Sequence, residues 1–374
     1  MQTASNYGEL RPSNRILMGP GPSNVHYRVY RALATPIIGH LDPEFLSLMD
    51  EISDMLRRVF ETRNRLTIPI SGTGSSGMET SFVNVIEPGD KVIIGVNGAF
   101  GERMVDVASR CGAEVMRIDA EWGRIVPIDR VVDEFKKNPD AKVFAVVHAE
   151  TSTGVRQPLK EIGDYIKEKE ILFLVDSVTS LAGCELKIDD WGIDICYSGT
   201  QKCLSVPPGL SPITLSEKAL EIIRSRRNKV QSWYLDLTMI ERYWSSERVY
   251  HHTAPISMLF GLREGLRIIL EEGLEQRIDR HQALGDYLES SLLELGFSHF
   301  AQEGYRLPML NSVILPEELD DAKTRTRLLD EYGIEVGVGL GKTKGKIWRI
   351  GLMGETCRRE NIDALISALK DIVT

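Results

Sequence analysis

The chain has 374 residues, 42% hydrophobic and 26% charged, with 45 Lys and Arg against 54 Asp and Glu for a formal net charge of −9. That length fits two domains able to bury their own cores without metal or disulfide staples, so a single small module is excluded. The acidic balance argues against nucleic acid or an anionic membrane surface as partner, since either needs a concentrated basic face.

The five cysteines, Cys111, Cys184, Cys196, Cys203 and Cys357, form no C-x-x-C pair and no Cys/His cluster at zinc spacing. They read as reduced thiols, with no metal site expected. The opening MQTASNYGELRPSNR lacks an apolar signal core, and no run approaches the ~18 apolar residues of a membrane span. A cytoplasmic enzyme acting on small molecules is the expected class.

An N-terminal arm is expected over residues 1–20, with Gly19-Pro20-Gly21-Pro22 as a rigid turn at its end. Behind the helix-start pair Asp42-Pro43, the residues Phe45, Leu48, Met49, Ile52, Met55, Leu56 and Val59 recur at helical spacing and predict a helix to Phe60. From about 65 to 215 the apolar runs LTIPI, KVIIGV, AEVMRI, KVFAVVH, ILFLVDS and DICYSG alternate with periodic segments such as Phe100–Cys111 and Leu159–Lys169. That alternation predicts βαβ units and a mostly parallel sheet, giving a large α/β domain over 21–260. Helical patterns at Ser257–Glu272 and Leu274–Leu295, then NSVILP, a helix near Ala322–Tyr332, EVGVGL, KIWRIGL and a last helix near Arg359–Ile372, predict a smaller α+β domain over 261–374.

Three segments could carry chemistry. In Ile70–Glu79 an apolar strand enters a Gly/Ser/Thr turn and then a helix, which places free N–H groups and hydroxyls at the positive end of a helix dipole. Gly72, Gly74 and Gly77 satisfy G-x-G-x-x-G, yet the following strand ends in Gly-Val-Asn where a dinucleotide site wants an acid. The hydroxyls of Ser71, Thr73, Ser75 and Ser76 suit one tightly held phosphate better than a pyrophosphate. In Leu172–Ser177 an apolar run ends in Asp176, a carboxylate at the ligand-binding edge of a parallel sheet. It could ligate a metal, accept from a ribose or partner a protonated ring nitrogen; Asp194 precedes its own apolar run and reads as a strand start. In Tyr197–Leu204 a Gly/Thr turn presents Lys202 among apolar neighbours, where desolvation lowers an amine's pKa.

Together, a phosphate cup, a strand-terminal Asp and a Lys 26 residues after it are the parts that pyridoxal phosphate needs. The cup anchors the phosphate, Asp176 keeps the pyridine nitrogen protonated, and Lys202 binds the aldehyde carbon as a Schiff base and later moves the proton at the substrate α-carbon.

The chain resembles the class V, fold-type I pyridoxal-phosphate aminotransferases of the alanine–glyoxylate and serine–pyruvate group. The resemblance runs nearly end to end through MGPGPSNV, SGTGSSGMET, NGAFGER, HAETSTGVRQPL, VDSVTSLAG, YSGTQKCL, YHHTAPI and WRIGLMG. It implies the fold-type I transferase fold and a ping-pong transfer of an amino group from a small L-amino acid, alanine or serine, to glyoxylate. Serine–pyruvate and ureidoglycine–glyoxylate transfer are the alternatives. Thr73, Gly74 and Ser75 fall where the family holds the cofactor phosphate, and Gln201 adds a contact. Tyr250 and Thr253 fall where a neighbouring subunit completes that site, which implies a homodimer with shared active sites. Thr151 matches the hydroxyl facing the ring substituents and the substrate, Val178 lies beneath the ring, and Arg349 matches the arginine that takes the substrate carboxylate. Gly21 falls in the segment lining the substrate pocket. Phe100 replaces the Trp often stacked on the ring, keeping an apolar face with less area and no indole donor.

His148 is expected to support the ring from a strand end, and His251 and His252 to pack or serve an interface. More distant readings remain: a desulfurase, which would need a reactive cysteine such as Cys357; a nicotinamide dehydrogenase built on the glycine motif; and a catalytically silent scaffold.

Overall fold

The computed structural model describes residues 8–373, so the first seven residues of the expected N-terminal arm lie outside the described residues. The helix predicted behind Asp42 spans Pro43–Phe60. An Asp42 carboxylate oxygen accepts the Glu44 N–H at 2.9 Å, Pro43 occupies the first turn, and Glu61 closes the helix in the left-handed region. Phe45, Met49, Ile52, Leu56 and Val59 all fall on its buried face, packed against the helix Ile256–Glu272.

Seven strands form the larger sheet, in the spatial order Leu66–Ser71, Leu210–Leu215, Ile195–Tyr197, Leu172–Asp176, Val143–Val147, Lys91–Val96 and Glu114–Asp119. All run in one direction except Leu210–Leu215, which is antiparallel to both of its neighbours. The α/β class with a mostly parallel sheet is therefore observed, but the reversed strand was not among the predicted runs. Pro212 is the reason: a proline in an apolar run argues against an interior strand. Here it stands opposite Pro69, and its carbonyl still accepts the Ser198 N–H on the other side at 2.7 Å.

The second sheet has the order Ile16–Met18, Ile334–Val338, Ile347–Gly351, Leu310–Ile314 and Ser298–His299. Its first strand comes from the arm region and pairs parallel with Ile334–Val338. Each sheet has its own core. Phe82, Phe144, Phe173 and Leu259, Leu262 and Leu266 of the helix Ile256–Glu272 belong to the first, so this helix shares the core of the larger sheet and packs on the helices Tyr27–Leu33 and Pro43–Phe60. Leu288 and Leu292 of the helix Leu274–Glu294 join Trp348, Ile350 and Leu365 in the second. Among the described residues no helix is long and apolar enough to cross a membrane, and no group of three or more His, Cys, Asp or Glu could hold a metal ion.

Candidate active site

One direction for six strands puts six carboxyl ends on one edge, and the chain departs from that edge into the loops where ligands collect. A cavity open to solvent sits there, its wall including Thr73, Gly74, Ser75, Phe100, Thr151, Asp176, Val178, Gln201 and Lys202. Every cofactor residue named from the sequence is in that wall except Tyr250 and Thr253.

Thr73 is the N-cap of the helix Gly74–Val85, but its hydroxyl makes no capping bond, and Ser76 rather than Ser75 turns back to bond the Thr73 carbonyl (2.6 Å). The Thr73 carbonyl also takes the Ser76 N–H at 2.8 Å, so among the described residues it is the Gly74 and Ser75 N–H groups and the Thr73 and Ser75 hydroxyls that remain free to meet an anion. Gly77 is structural: a Cβ there would stand 2.0 Å from Ser211 Oγ. The strand after this helix is followed by Asn97, not an acid, so the dinucleotide signature is incomplete.

Asp176 ends its strand in register with Tyr197, the last residue of the next parallel strand. That register explains why the Tyr197 hydroxyl donates to Asp176 Oδ2 at 2.7 Å, while the Val178 N–H donates to Oδ1 at 2.8 Å. Burial pushes the Asp176 carboxyl up to about 6, and these two donors, with the charges of Lys202 and Arg103, hold it back from going higher. Asp194 is a structural cap: it accepts the Phe173 N–H at 3.0 Å and the Ser216 hydroxyl at 2.8 Å.

Lys202 follows Tyr197 through a buried turn and donates to the Pro20 carbonyl. Burial lowers its pKa to about 8, and the positive charge of Arg349 adds to the shift. Gly21 is required beside it: its φ is +108°, and a Cβ would stand 2.5 Å from Lys202 Nζ. Acylation of Lys202 in the cofactor-free protein, followed by mass spectrometry across pH, is expected to show a midpoint near 8 that rises in Arg349→Ala. A midpoint at an ordinary lysine value of about 10.4 would contradict the assignment.

Arg349 lies beside the cavity rather than in its wall. Its Nε donates to the Val338 carbonyl at 2.7 Å and its Nη1 to the Thr151 carbonyl at 3.3 Å. Among the described residues Nη2 has no hydrogen-bond partner. Gln201 brings an amide oxygen that is buried and unpartnered; turned about its last torsion, the same amide offers two N–H donors. Tyr250 is 57% exposed and its ring lies tilted against His40, with ring centroids 5.3 Å apart. It and Thr253 stand outside the pocket of the single chain.

His148 is buried edge-on to Trp191, with its neighbours Val147 and Ala149 facing the cavity. Burial, then Arg156, pushes its pKa down to about 3, so the ring is neutral. His251 stacks on Trp233 at 4.5 Å and His252 bonds Ser71 Oγ at 2.8 Å, both as packing residues. All five cysteines are buried and unpaired. Cys357, its thiol pushed up to about 11 by burial, is unsuited to attack.

Sequence reasoning missed Tyr197, Arg103 and Glu150. Arg103 lies over the Phe100 ring, 5.0 Å from its centroid, on the same helix face one turn on. The spacing of three residues was visible in the sequence, whereas the register that brings Tyr197 to Asp176 was not.

A family model described as aminotransferase class-V matches residues 24–365. The chain is 40% identical over 383 residues to the (S)-ureidoglycine–glyoxylate transaminase of Bacillus subtilis (strain 168), covering 98% of this chain and 92% of that one. It is 38% identical over 365 residues to the alanine–glyoxylate aminotransferase of Drosophila melanogaster, covering 96% and 92%. The crystal structure of an alanine–glyoxylate aminotransferase from Nostoc sp. superposes with a TM-score of 0.97 at 46% identity, covering 100% of both chains.

Proposed function

Because the chain belongs to the class-V aminotransferase family, we propose that it transfers the amino group of a small L-amino acid, alanine or serine, to glyoxylate, with pyridoxal phosphate as cofactor. The observation that carries the reading is the convergence of Asp176, Lys202 and the open helix start at Thr73–Ser75 in one cavity. The relatives named for glyoxylate as acceptor support that half of the reaction. The Bacillus subtilis relative supports ureidoglycine as the second candidate donor.

The residues present fit the cofactor. Free N–H groups with the Thr73 and Ser75 hydroxyls suit its phosphate, joined by the Gln201 amide. Phe100 and Val178 offer apolar faces for a flat ring, and Gly74 is required beneath, where a Cβ would meet Val178 Cγ2 at 2.9 Å. When bound, pyridoxal phosphate supplies an electrophilic aldehyde carbon and an electron-withdrawing ring for the pair released at the substrate α-carbon. Asp176, already fixed by Tyr197 and Val178, holds a proton on the ring nitrogen. Lys202, with its lowered pKa, has a large share of free amine near neutrality, and takes and returns the proton at the substrate α-carbon. Arg349 takes the substrate carboxylate with its free Nη2 end. Pro20 and Gly21 crowd Lys202 from the other side, where a long substrate side chain would find little room.

We also propose a homodimer, in which Tyr250 and Thr253 reach the partner's phosphate site. Its support is an exposed aromatic patch of Trp233, Tyr234 and Tyr250, of a kind that monomers seldom leave open.

A visible spectrum of the protein with pyridoxal phosphate tests the reading. A band that bleaches with L-alanine or L-serine and returns with glyoxylate is expected; a protein that stays colourless overturns it. In the same assay Arg349→Ala should lose about 10–150-fold in kcat/KM, equivalent to ~1.5–3 kcal/mol for a charged hydrogen bond, mostly through KM. An unchanged KM for both amino and oxo acid would remove its assigned role.

A further inference from the structure

The helix Ala99–Arg110, which carries Phe100, has no cap of its own. Gly98 is its N-cap residue and brings no side chain, so the first N–H groups need acceptors from elsewhere. They find them on the segment after the neighbouring strand. The Ala99 N–H donates to Ser152 Oγ at 2.9 Å, the Phe100 N–H to Glu150 Oε2 at 3.0 Å and the Gly101 N–H to the same oxygen at 3.3 Å. The other oxygen, Oε1, accepts the Ser152 N–H at 3.0 Å and its hydroxyl at 2.6 Å.

Glu150 is completely buried, and among the described residues its carboxylate is bonded by backbone N–H groups and the Ser152 hydroxyl and by no Lys or Arg. Its compensation is the positive end of the helix together with these donors, with the charge of Arg349 acting on it without a direct bond. Burial pushes its carboxyl up, and the bonds from Ser152 and Gly101 pull against that shift. The contact also dictates Gly98: a Cβ there would stand 2.3 Å from Glu150 Cγ. A carboxylate, a serine and a glycine distant in sequence thus form one clasp on the first turn of the helix.

We propose that Glu150 is a positioning residue of the transamination, anchoring the backbone of Phe100 so that its ring is held over the ring of the cofactor. The proposal rests on the cofactor reading above. Phe100 is gripped at its own main-chain N–H, and Arg103 covers its ring one turn later. The same short segment positions the substrate side, since Thr151, next in the chain, gives its carbonyl to Arg349. A loss at Glu150 should therefore be felt first at cofactor binding.

The test is a double-mutant cycle between Glu150→Gln and Phe100→Ala. The amide keeps the shape of Glu150 but puts an NH2 where N–H donors already converge. Three quantities are read: the Kd for pyridoxal phosphate by equilibrium dialysis, the visible circular dichroism of the bound cofactor, and the melting temperature of the cofactor-free protein. Glu150→Gln is expected to weaken cofactor binding about tenfold, as for loss of a helix cap, and to shrink the dichroic band. The double variant should lose no more than Phe100→Ala alone, because residues acting through one another are not additive. Fully additive losses, or a lower melting temperature with Kd and dichroism unchanged, overturn the proposal. Should Glu150→Gln fail to fold, Ser152→Ala removes one bond of the clasp and should shift Kd and dichroism the same way by less; no shift overturns it. A wild-type protein that binds no pyridoxal phosphate fails at the cofactor reading instead, and takes the proposal with it.

Discussion

Lys202→Ala is expected to lose transamination almost entirely, by about 10²–10⁴-fold for the positioned proton transfer alone, while the protein stays folded. The two halves of that expectation have the same cause. Burial beside Arg349 lowers the pKa of Lys202 from 10.5 to about 8, which frees the amine for chemistry and makes its protonated form costly to the fold. Between those two values the unfolded chain binds more protons than the native one, so the wild-type stability contribution is unfavourable below pH 8 and improves as pH rises toward 10.5. The alanine variant has no such group. Its cofactor-free melting temperature should match or exceed that of the wild type at pH 7, with the difference shrinking by pH 10. Measurable turnover, or a variant markedly less stable at pH 7, would count against the lysine's assignment.

Much of this architecture was legible in the sequence wherever a pattern is local. The helix Pro43–Phe60 announced itself through Asp42-Pro43 and a single apolar face, and the long helices Ile256–Glu272 and Leu274–Glu294 through periodicity sustained over many turns. Asp176 and Lys202 could be found because each follows an apolar strand, and a parallel sheet aligns all its strand ends. What stayed hidden depends on pairing across the chain. The strand Ile16–Met18 has three residues, too few to show a period, and exists because Ile334–Val338 is there to receive it. Leu210–Leu215 is disguised by Pro212, whose missing N–H matters little opposite Pro69. Glu150 and Gly98 are 52 residues apart, and nothing in either neighbourhood marks a helix capped from outside. Tyr250 and Thr253 were named from the family resemblance alone, and both stand outside the pocket of the single chain.

Asp176→Asn is expected to separate stability from function in opposite directions. The carboxyl of Asp176 is raised from 3.8 to about 6 by burial, so in the cofactor-free protein the native state holds the extra proton between those values. Stability contributed by this group is therefore present at pH 4 and lost as pH rises through 6, to a cost of up to about 3 kcal/mol at neutrality. An asparagine escapes that cost and keeps both neighbours: its oxygen accepts the Val178 N–H, and its NH2 donates to the Tyr197 hydroxyl oxygen. The cofactor-free variant should thus melt above the wild type at pH 7 and level with it near pH 4. With pyridoxal phosphate the order should reverse. A neutral amide has no charge to hold a proton on the ring nitrogen, so kcat/KM should fall by about 10–150-fold or more, the loss of one charged hydrogen bond at a buried side chain. On the proposed reading a protonated ring nitrogen would add a cation to those of Lys202 and Arg103 beside the buried carboxylate, so binding should stabilise the wild type more than the variant. Identical melting curves from pH 4 to 8, or an unimpaired variant, would mean that Asp176 faces something other than a protonated ring.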